Sequence, residues 1–453
     1  MSNPKIVGAA AVALIAVVYV VGSRALENVG PSATASPPTA SSAEAAAPDL
    51  LYGRVTTYGG DTYEGRLRWG GDEEALWGHT FDGVKDENPW AALTPRGRRA
   101  EEGRPARVFG VEVPWGGPEV DLGRPFMARF GDIARIEAHG DGVRGVLADG
   151  VAFDPDVRVT LKSGTVFDLD RLSASDFDDG VRVWDGRRGA VDLGPRQIRT
   201  VELFPAPDDV ESRPRDGGRL HGTVHTSHGD FTGLLQWDRD GALGRDEIVG
   251  RTADGERRLR FDAIRSIARD PRGGSRVTRL DGREVALSGT STVGPGHRGI
   301  AVDDARYGRV LVPWGAVERV DLDPSASGPS YDDFPPGRPL SGRVTTRDGR
   351  RLTGRLVVDL DESETTETLD APSRGVDYSV PFGRIASVVL PGDGPARVTL
   401  RDGKELALER AGDLGDGNAG LLVFADGQEG PEYVPWAEVE RIDIDRPAEP
   451  ADR

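Results

Sequence analysis

The sequence predicts an all-β protein of three tandem repeat domains, each a pair of small β-barrel or barrel-like half-units, preceded by an N-terminal hydrophobic helix. Three observations lead there. Glycine (61) and proline (32) make up about a fifth of the 453 residues, which favours turns over long helices. A strand–turn–strand pattern recurs three times at matched spacing. A corner followed by an aliphatic alternation closes about six segments of the chain.

The chain opens with an uncharged run, Ile6 to Val21, after Lys5 and before Arg24. Such a run spans about 25 Å as a helix, the short end for a membrane crossing. A signal peptide has the same plan, and Ser23-Arg24-Ala25 offers a cleavage site. Residues 1–25 are therefore expected to be a membrane anchor or a signal peptide, which places the rest of the chain in the cell envelope, outside the cytoplasm. Residues 26–48 are rich in Ala, Ser, Thr and Pro and hold no aromatic residue. Such a segment cannot bury enough surface to fold and reads as a disordered linker. The tail 446–453 is read in the same way.

The repeats come next. Leu51–Thr57, Leu220–Thr226 and Leu340–Thr346 share the pattern L-x-G-x-V-x-T, followed by a Gly turn and a second alternating stretch. The two motif glycines are Gly53 and Gly65, Gly222 and Gly233, and Gly342 and Gly354. Period-2 alternation on either side of a Gly turn predicts a β-hairpin. A second unit follows in each copy at Val157–Gly164, Val277–Gly282 and Val398–Gly403. First halves close at Phe130, Phe261 and Phe382; second halves close at Pro195, Pro313-Trp314 and Pro435-Trp436. Proline before an aromatic fits a corner or one 3-10 turn before a final strand. Half-units of this size must close on themselves or pair with a neighbour to hide their edges. The repeats are placed at 49–203, 219–323 and 339–445, with linkers at 204–218 and 324–338. Repeat 1 carries an insertion at about 70–125.

Charge and composition narrow the function. Asp+Glu number 75 against Lys+Arg 57, a net charge of −18. A chain so acidic repels phosphate backbones, so no nucleic-acid partner is expected. The absence of cysteine excludes thiolate nucleophiles, Cys-ligated zinc and disulfides. No G-x-S-x-G, H-E-x-x-H, P-loop or dinucleotide fingerprint occurs. No cofactor and no catalytic residue are assigned.

The hairpin Asp348–Asp359, with the later Phe382, Ile385 and Val388, resembles the first motif and closing strand of Sm-like small β-barrels, and is similar to SH3-like barrels as well. The resemblance covers about 50 residues per copy and implies a small-barrel fold. It does not imply RNA binding. The family places Asn after the first motif and Arg-Gly near the last strand, where this chain has Asp361-Glu362 and Gly383-Arg384. The chain also resembles repeat proteins of bacterial envelopes, a likeness that brings no activity with it.

Four features could carry chemistry. His221, His225 and His228 have the spacing of a helical metal face, but the repeats put His221 and His225 on one face of a strand and His228 near the turn, where they read as ordinary histidines. Acidic loops follow the first hairpins at Asp72-Glu73-Glu74, at Asp238-Arg239-Asp240 with Asp246-Glu247, and at Asp359-Leu360-Asp361-Glu362. Clustered carboxylates can hold Ca2+, although none has EF-hand order; solvated acids are the simpler reading. Trp69, Trp237, Trp314 and Trp436 recur at repeat positions and are expected in the core. Trp77, Phe81, Trp90 and Trp115 lie in or near the insertion and are the candidate contacts for a protein or glycan partner. The expected function is a non-enzymatic interaction or structural module of the envelope. The alternatives are a carbohydrate- or cell-wall-binding protein, with or without Ca2+, and a hydrolase with its site in the insertion.

Overall fold

The computed structural model describes residues 48–446, except 71–72, 86–87, 91–92, 95–105, 109–110, 114–123, 140–155, 170–174, 208–217, 272 and 324–327. The N-terminal hydrophobic run, the 26–47 stretch and Trp115 lie outside the described residues. Among the described residues, no helix is long and apolar enough to cross a membrane.

The protein is all-β, with several sheets. The first repeat supplies β1 (Tyr52–Thr57), β2 (Thr62–Trp69), β3 (Thr80–Val84), β4 (Ala106–Val108), β5 (Val111–Val113), β6 (Pro125–Arg129), β7 (Ile133–His139), β8 (Asp156–Leu161), β9 (Val166–Leu169), β10 (Val181–Asp185), β11 (Gly189–Leu193) and β12 (Ile198–Leu203). The second supplies β13 (His221–Thr226), β14 (Gly229–Trp237), β15 (Glu247–Thr252), β16 (Gly255–Arg260), β17 (Ile264–Asp270), β18 (Gly274–Arg279), β19 (Glu284–Leu287), β20 (Ile300–Asp304), β21 (Gly308–Val312) and β22 (Val317–Leu322). The third supplies β23 (Ser341–Thr346), β24 (Arg351–Val358), β25 (Thr368–Ser373), β26 (Val376–Pro381), β27 (Ile385–Val389), β28 (Ala396–Leu400), β29 (Glu405–Leu408), β30 (Leu421–Phe424), β31 (Glu432–Val434) and β32 (Val439–Ile444).

Local sequence explains these elements. Burial alternates along β1, β13 and β23, as half-buried strands require. Gly164, Gly282, Gly349 and Gly403 turn their hairpins with φ between +83° and +89°, a conformation open to glycine at no steric cost. The predicted corners are single 3-10 turns at Phe130–Asp132, Phe261–Ala263, Trp314–Ala316, Phe382–Arg384 and Trp436–Glu438. Each starts with a buried aromatic ring, and the next aliphatic N–H donates back to that aromatic residue's carbonyl.

The two halves of a repeat do not keep their strands to themselves. In repeat 1 the sheet order is β11-β10-β2-β1-β12-β7-β8-β9. The first hairpin, β1–β2, is thus flanked by β12 and β10, all second-half strands. Conversely, β8 pairs with β7, a first-half strand, and β9 is bridged to the end of β3 through Leu169 and Lys85. Repeats 2 and 3 follow the same scheme, through β21-β20-β14-β13-β22 and β31-β30-β24-β23-β32. Even the irregularities agree. The ladder shifts register at Thr56/Thr57, His225/Thr226 and Thr345/Thr346.

The motif glycines stand where the exchanged strands meet. A Cβ on Gly53, Gly222 or Gly342 would lie 2.1 Å from the carbonyl oxygen of Glu202, Asp321 or Asp443. One on Gly233 would lie 1.8 Å from the Asp303 carbonyl. No side chain fits, so glycine is what lets the second-half strands approach.

The described part of the chain clusters as one compact unit, and the repeats are joined by more than their connections. β26 of repeat 3 extends the sheet of repeat 2 by pairing with β21, Val310 opposite Tyr378. The segment between repeats 2 and 3 is bound into repeat 1. Tyr331 and Phe334 are buried with the repeat-1 core. The Tyr331 hydroxyl donates to the Ile133 carbonyl at 2.8 Å, and Lys162 donates to the carbonyls of Tyr331 (2.5 Å) and Phe334 (2.8 Å).

Candidate functional site

The site grows from one turn. After β24 the chain reverses at Asp359 and Leu360, both left-handed with φ of 50° and 53°. Val358 and Glu362 bridge across it. Asp and Asn tolerate this region better than most residues. The Asp359 carboxylate is anchored by the Ala419 N–H. The turn places Asp359 and Glu362 together, and the 3-10 turn Gly412–Leu414 brings in Asp413. Asp413 is held by the Asp370 N–H, which donates to its Oδ2 at 2.6 Å. Ligand atoms of Asp359, Glu362 and Asp413 all lie within 4.8 Å of one another. Among the described residues this is the one such group of three His, Asp or Glu side chains.

The electrostatics are lopsided. Asp361, Glu367 and Asp370 surround the three, making six carboxyl groups in all. Repeat 1 answers with two cations from its insertion. Lys85 donates to Asp361 at 2.6 Å and lies 3.8 Å from Glu367. Arg124 lies 3.6 Å from the Asp359 carboxylate. Burial, opposed by Arg124, raises Asp359 to about 6. Burial also raises Glu367 to about 7 despite Lys85. Glu362 and Asp413 are pushed well above the usual carboxylate range by burial and then by the neighbouring carboxylates. The Glu362 Oε2 is sealed from solvent and receives no hydrogen bond.

Neither protein families, curated sequences nor solved structures yield a match to this chain. The chain's own repeats are therefore the relatives available for comparison. Repeat 2 has the same turn, with Asp238 and Arg239 left-handed at φ of 52° and 68° and Trp237 bridged to Gly241. There the carboxylates have a cation of their own repeat. Arg298 donates its N–H to Asp238 Oδ1 at 2.7 Å and its guanidinium to the Asp238 carbonyl and the Asp240 carboxylate. From β14 to β20 an offset of 121 residues relates repeat 2 to repeat 3. It sets Asp359 on Asp238, Asp361 on Asp240, Glu362 on Gly241, Asp413 on Thr292 and Ala419 on Arg298. Repeat 3 has kept the acids, added two more and lost the arginine.

Of the acidic loops singled out in the sequence, that of repeat 3 alone supplies members of this group. Asp72 lies outside the described residues, and Glu74 is spent on Arg66, at 3.1 Å, and Arg245. Asp413 was not visible as a partner because it sits 54 residues beyond Asp359 in sequence; the offset with Thr292 was the signal available.

The other candidates have plain positions. Trp77 and Phe81 are 2% and 0% exposed in the repeat-1 core, so their rings meet this chain and not a partner. Trp90 is half-buried against repeat 3, edge-on to Phe424 at 5.9 Å, with the Arg355 guanidinium 5.4 Å above it. Trp69, Trp237, Trp314 and Trp436 are all buried. His225 is a strand histidine between Asp230 and Asp321, 3.0 Å from each. His221 lies 4.0 Å from Asp323.

Proposed function

We propose that this chain is a non-enzymatic β-repeat protein of the cell envelope, tethered at the membrane by its N-terminal segment or exported after cleavage, and acting as a rigid interaction or structural module. Each repeat is then a pair of strand-exchanged small barrels related to the Sm-like and SH3-like kind. Both five-strand sets run in the order closing strand, first, second, third, fourth, with strands traded between halves. The observation that carries the functional reading is the joining of the repeats: a shared sheet between repeats 2 and 3, a buried strap from the 2–3 connection onto repeat 1, and a cluster of charges between repeats 1 and 3. Such joints hold a surface in fixed shape, which suits presenting a face to a partner. With a net charge of −18, that partner is a protein or wall component with a basic face.

A topology experiment tests this. Alkaline phosphatase fused after residue 48 and after residue 453 should be active in a bacterial host, and the chain should fractionate with membranes or the medium. Inactive fusions and a purely cytosolic chain would overturn the assignment.

A further inference from the structure

We infer that Asp359, Glu362 and Asp413 form a calcium site, in which Ca2+ supplies positive charge to the acids that repeat 3 has added at the turn it shares with repeat 2. Three lines of geometry carry this. Ca2+ binds oxygen at about 2.3–2.6 Å, so oxygens sharing one ion lie no more than about 5 Å apart. The three groups meet that limit, with ligand atoms within 4.8 Å. The ligand set is all carboxylate oxygen, which suits a hard cation over the soft or imidazole-seeking metals.

The second line is Glu362. Its Oε2 is buried and accepts no hydrogen bond, and the strongest charges acting on it are other acids: Asp413, Asp361, Asp359 and Glu367. A buried, unpartnered carboxylate oxygen is costly unless something positive meets it. Lys85 and Arg124 attract it from a distance, but their close ion pairs are with Asp361, Glu367 and Asp359.

The third line is the internal comparison. At the same turn in repeat 2, a guanidinium sits on the carboxylates. In repeat 3, Ala419 replaces that arginine while Glu362 and Asp413 replace Gly241 and Thr292. Arg124 and Lys85 of repeat 1 take over Asp359 and Asp361, the counterparts of the two acids on Arg298, so the two added acids are what a bound cation would answer. The ion would also stiffen the joint between repeats 1 and 3, because the carboxylates lie against the insertion's Lys85 and Arg124. This inference stands whether or not the envelope assignment does.

The test is calorimetric titration of CaCl2 into the full-length, EDTA-treated protein in detergent. The expected result is one ion per chain, with Kd between about 1 μM and 1 mM. Glu362→Gln and Asp413→Asn should each weaken Kd at least about tenfold, while Asp348→Asn, in an exposed turn, should leave it unchanged. Glu362→Gln and Asp413→Asn remove repulsion and should fold. Ala419→Arg should abolish the calcium response and raise the unfolding midpoint in EDTA. No saturable binding by the wild type up to about 10 mM calcium overturns the inference. So does wild-type binding that persists unchanged in Glu362→Gln, Asp413→Asn and Ala419→Arg.

Discussion

His79 is buried, 3% exposed, at the joint between repeats 1 and 2. Its Nδ1 accepts from the N–H groups of Glu74 (3.2 Å) and Ala75 (3.0 Å), so the proton sits on Nε2, which donates to the Asp240 carbonyl of repeat 2 at 3.1 Å. Desolvation lowers its pKa to about 4. The folded state thus holds the neutral ring, while the unfolded chain protonates near 6.5. Between those values the unfolded state binds more protons, so stability is present above pH 6.5 and is lost as pH falls toward 4. The full effect is roughly 3 kcal/mol. Urea unfolding at pH 7 and pH 4.5 should therefore show the wild type losing more stability on acidification than His79→Asn, whose amide oxygen can accept the same N–H groups but does not titrate. Parallel losses would mean that the ring is not held neutral. His297, also lowered to about 4 by burial, titrates in the same window and remains in both proteins, so the difference reports His79. Neither histidine's role was legible in sequence, because it depends on burial at contacts between segments far apart in the chain.

At the scale of elements, the hairpins and corners were legible and the exchange was not. Period-2 alternation and Gly turns locate β1–β2, β13–β14 and β23–β24 from sequence alone, and an aromatic three residues before an aliphatic locates the 3-10 corners, with proline ahead of the aromatic in three of the five. Which strand lies beside each hairpin is a long-range choice that no local pattern carries. The trace it leaves is the pair of motif glycines, legible as a repeat but not as a point of strand approach. Gly342→Ala should therefore destabilise the chain by at least about 2 kcal/mol, measured as a fall in the urea midpoint. A change under about 0.5 kcal/mol would mean that the strands are not so close. The connection 324–338 is the other instance. Its Pro, Gly, Ser and Asp content reads as a linker, yet Tyr331 and Phe334 within it complete the repeat-1 core. Tyr331→Ala should cost about 3 kcal/mol, the loss of a buried aromatic ring, and should increase proteolysis between repeats 2 and 3. Cutting at an unchanged rate would show that the strap is not seated.

For the whole molecule, the meeting of three repeats is the feature that decides behaviour. Asp82 from β3, Arg309 from β21 and Asp370 from β25 lie within one electrostatic neighbourhood, one from each repeat. Arg309 is lowered to about 10 by burial, which the facing acids only partly offset. Its guanidinium donates to Gln236 at 2.8 Å. Buried charge of this kind is costly to expose one side at a time, so it couples the repeats in unfolding. Sequence showed three copies but not their joints, since Asp82 and Asp370 look like any of 75 acids. Trp90 is a parallel instance: an aromatic in an insertion reads as a surface for others, and one edge of it packs on Phe424 of repeat 3 in the same chain.

Scanning calorimetry of the full-length protein tests the interlocked arrangement most directly. The strand exchange, the shared β21–β26 edge and the buried strap predict one cooperative transition, with calorimetric and van't Hoff enthalpies in agreement. Three separable transitions, each with the enthalpy of a single repeat, would contradict it.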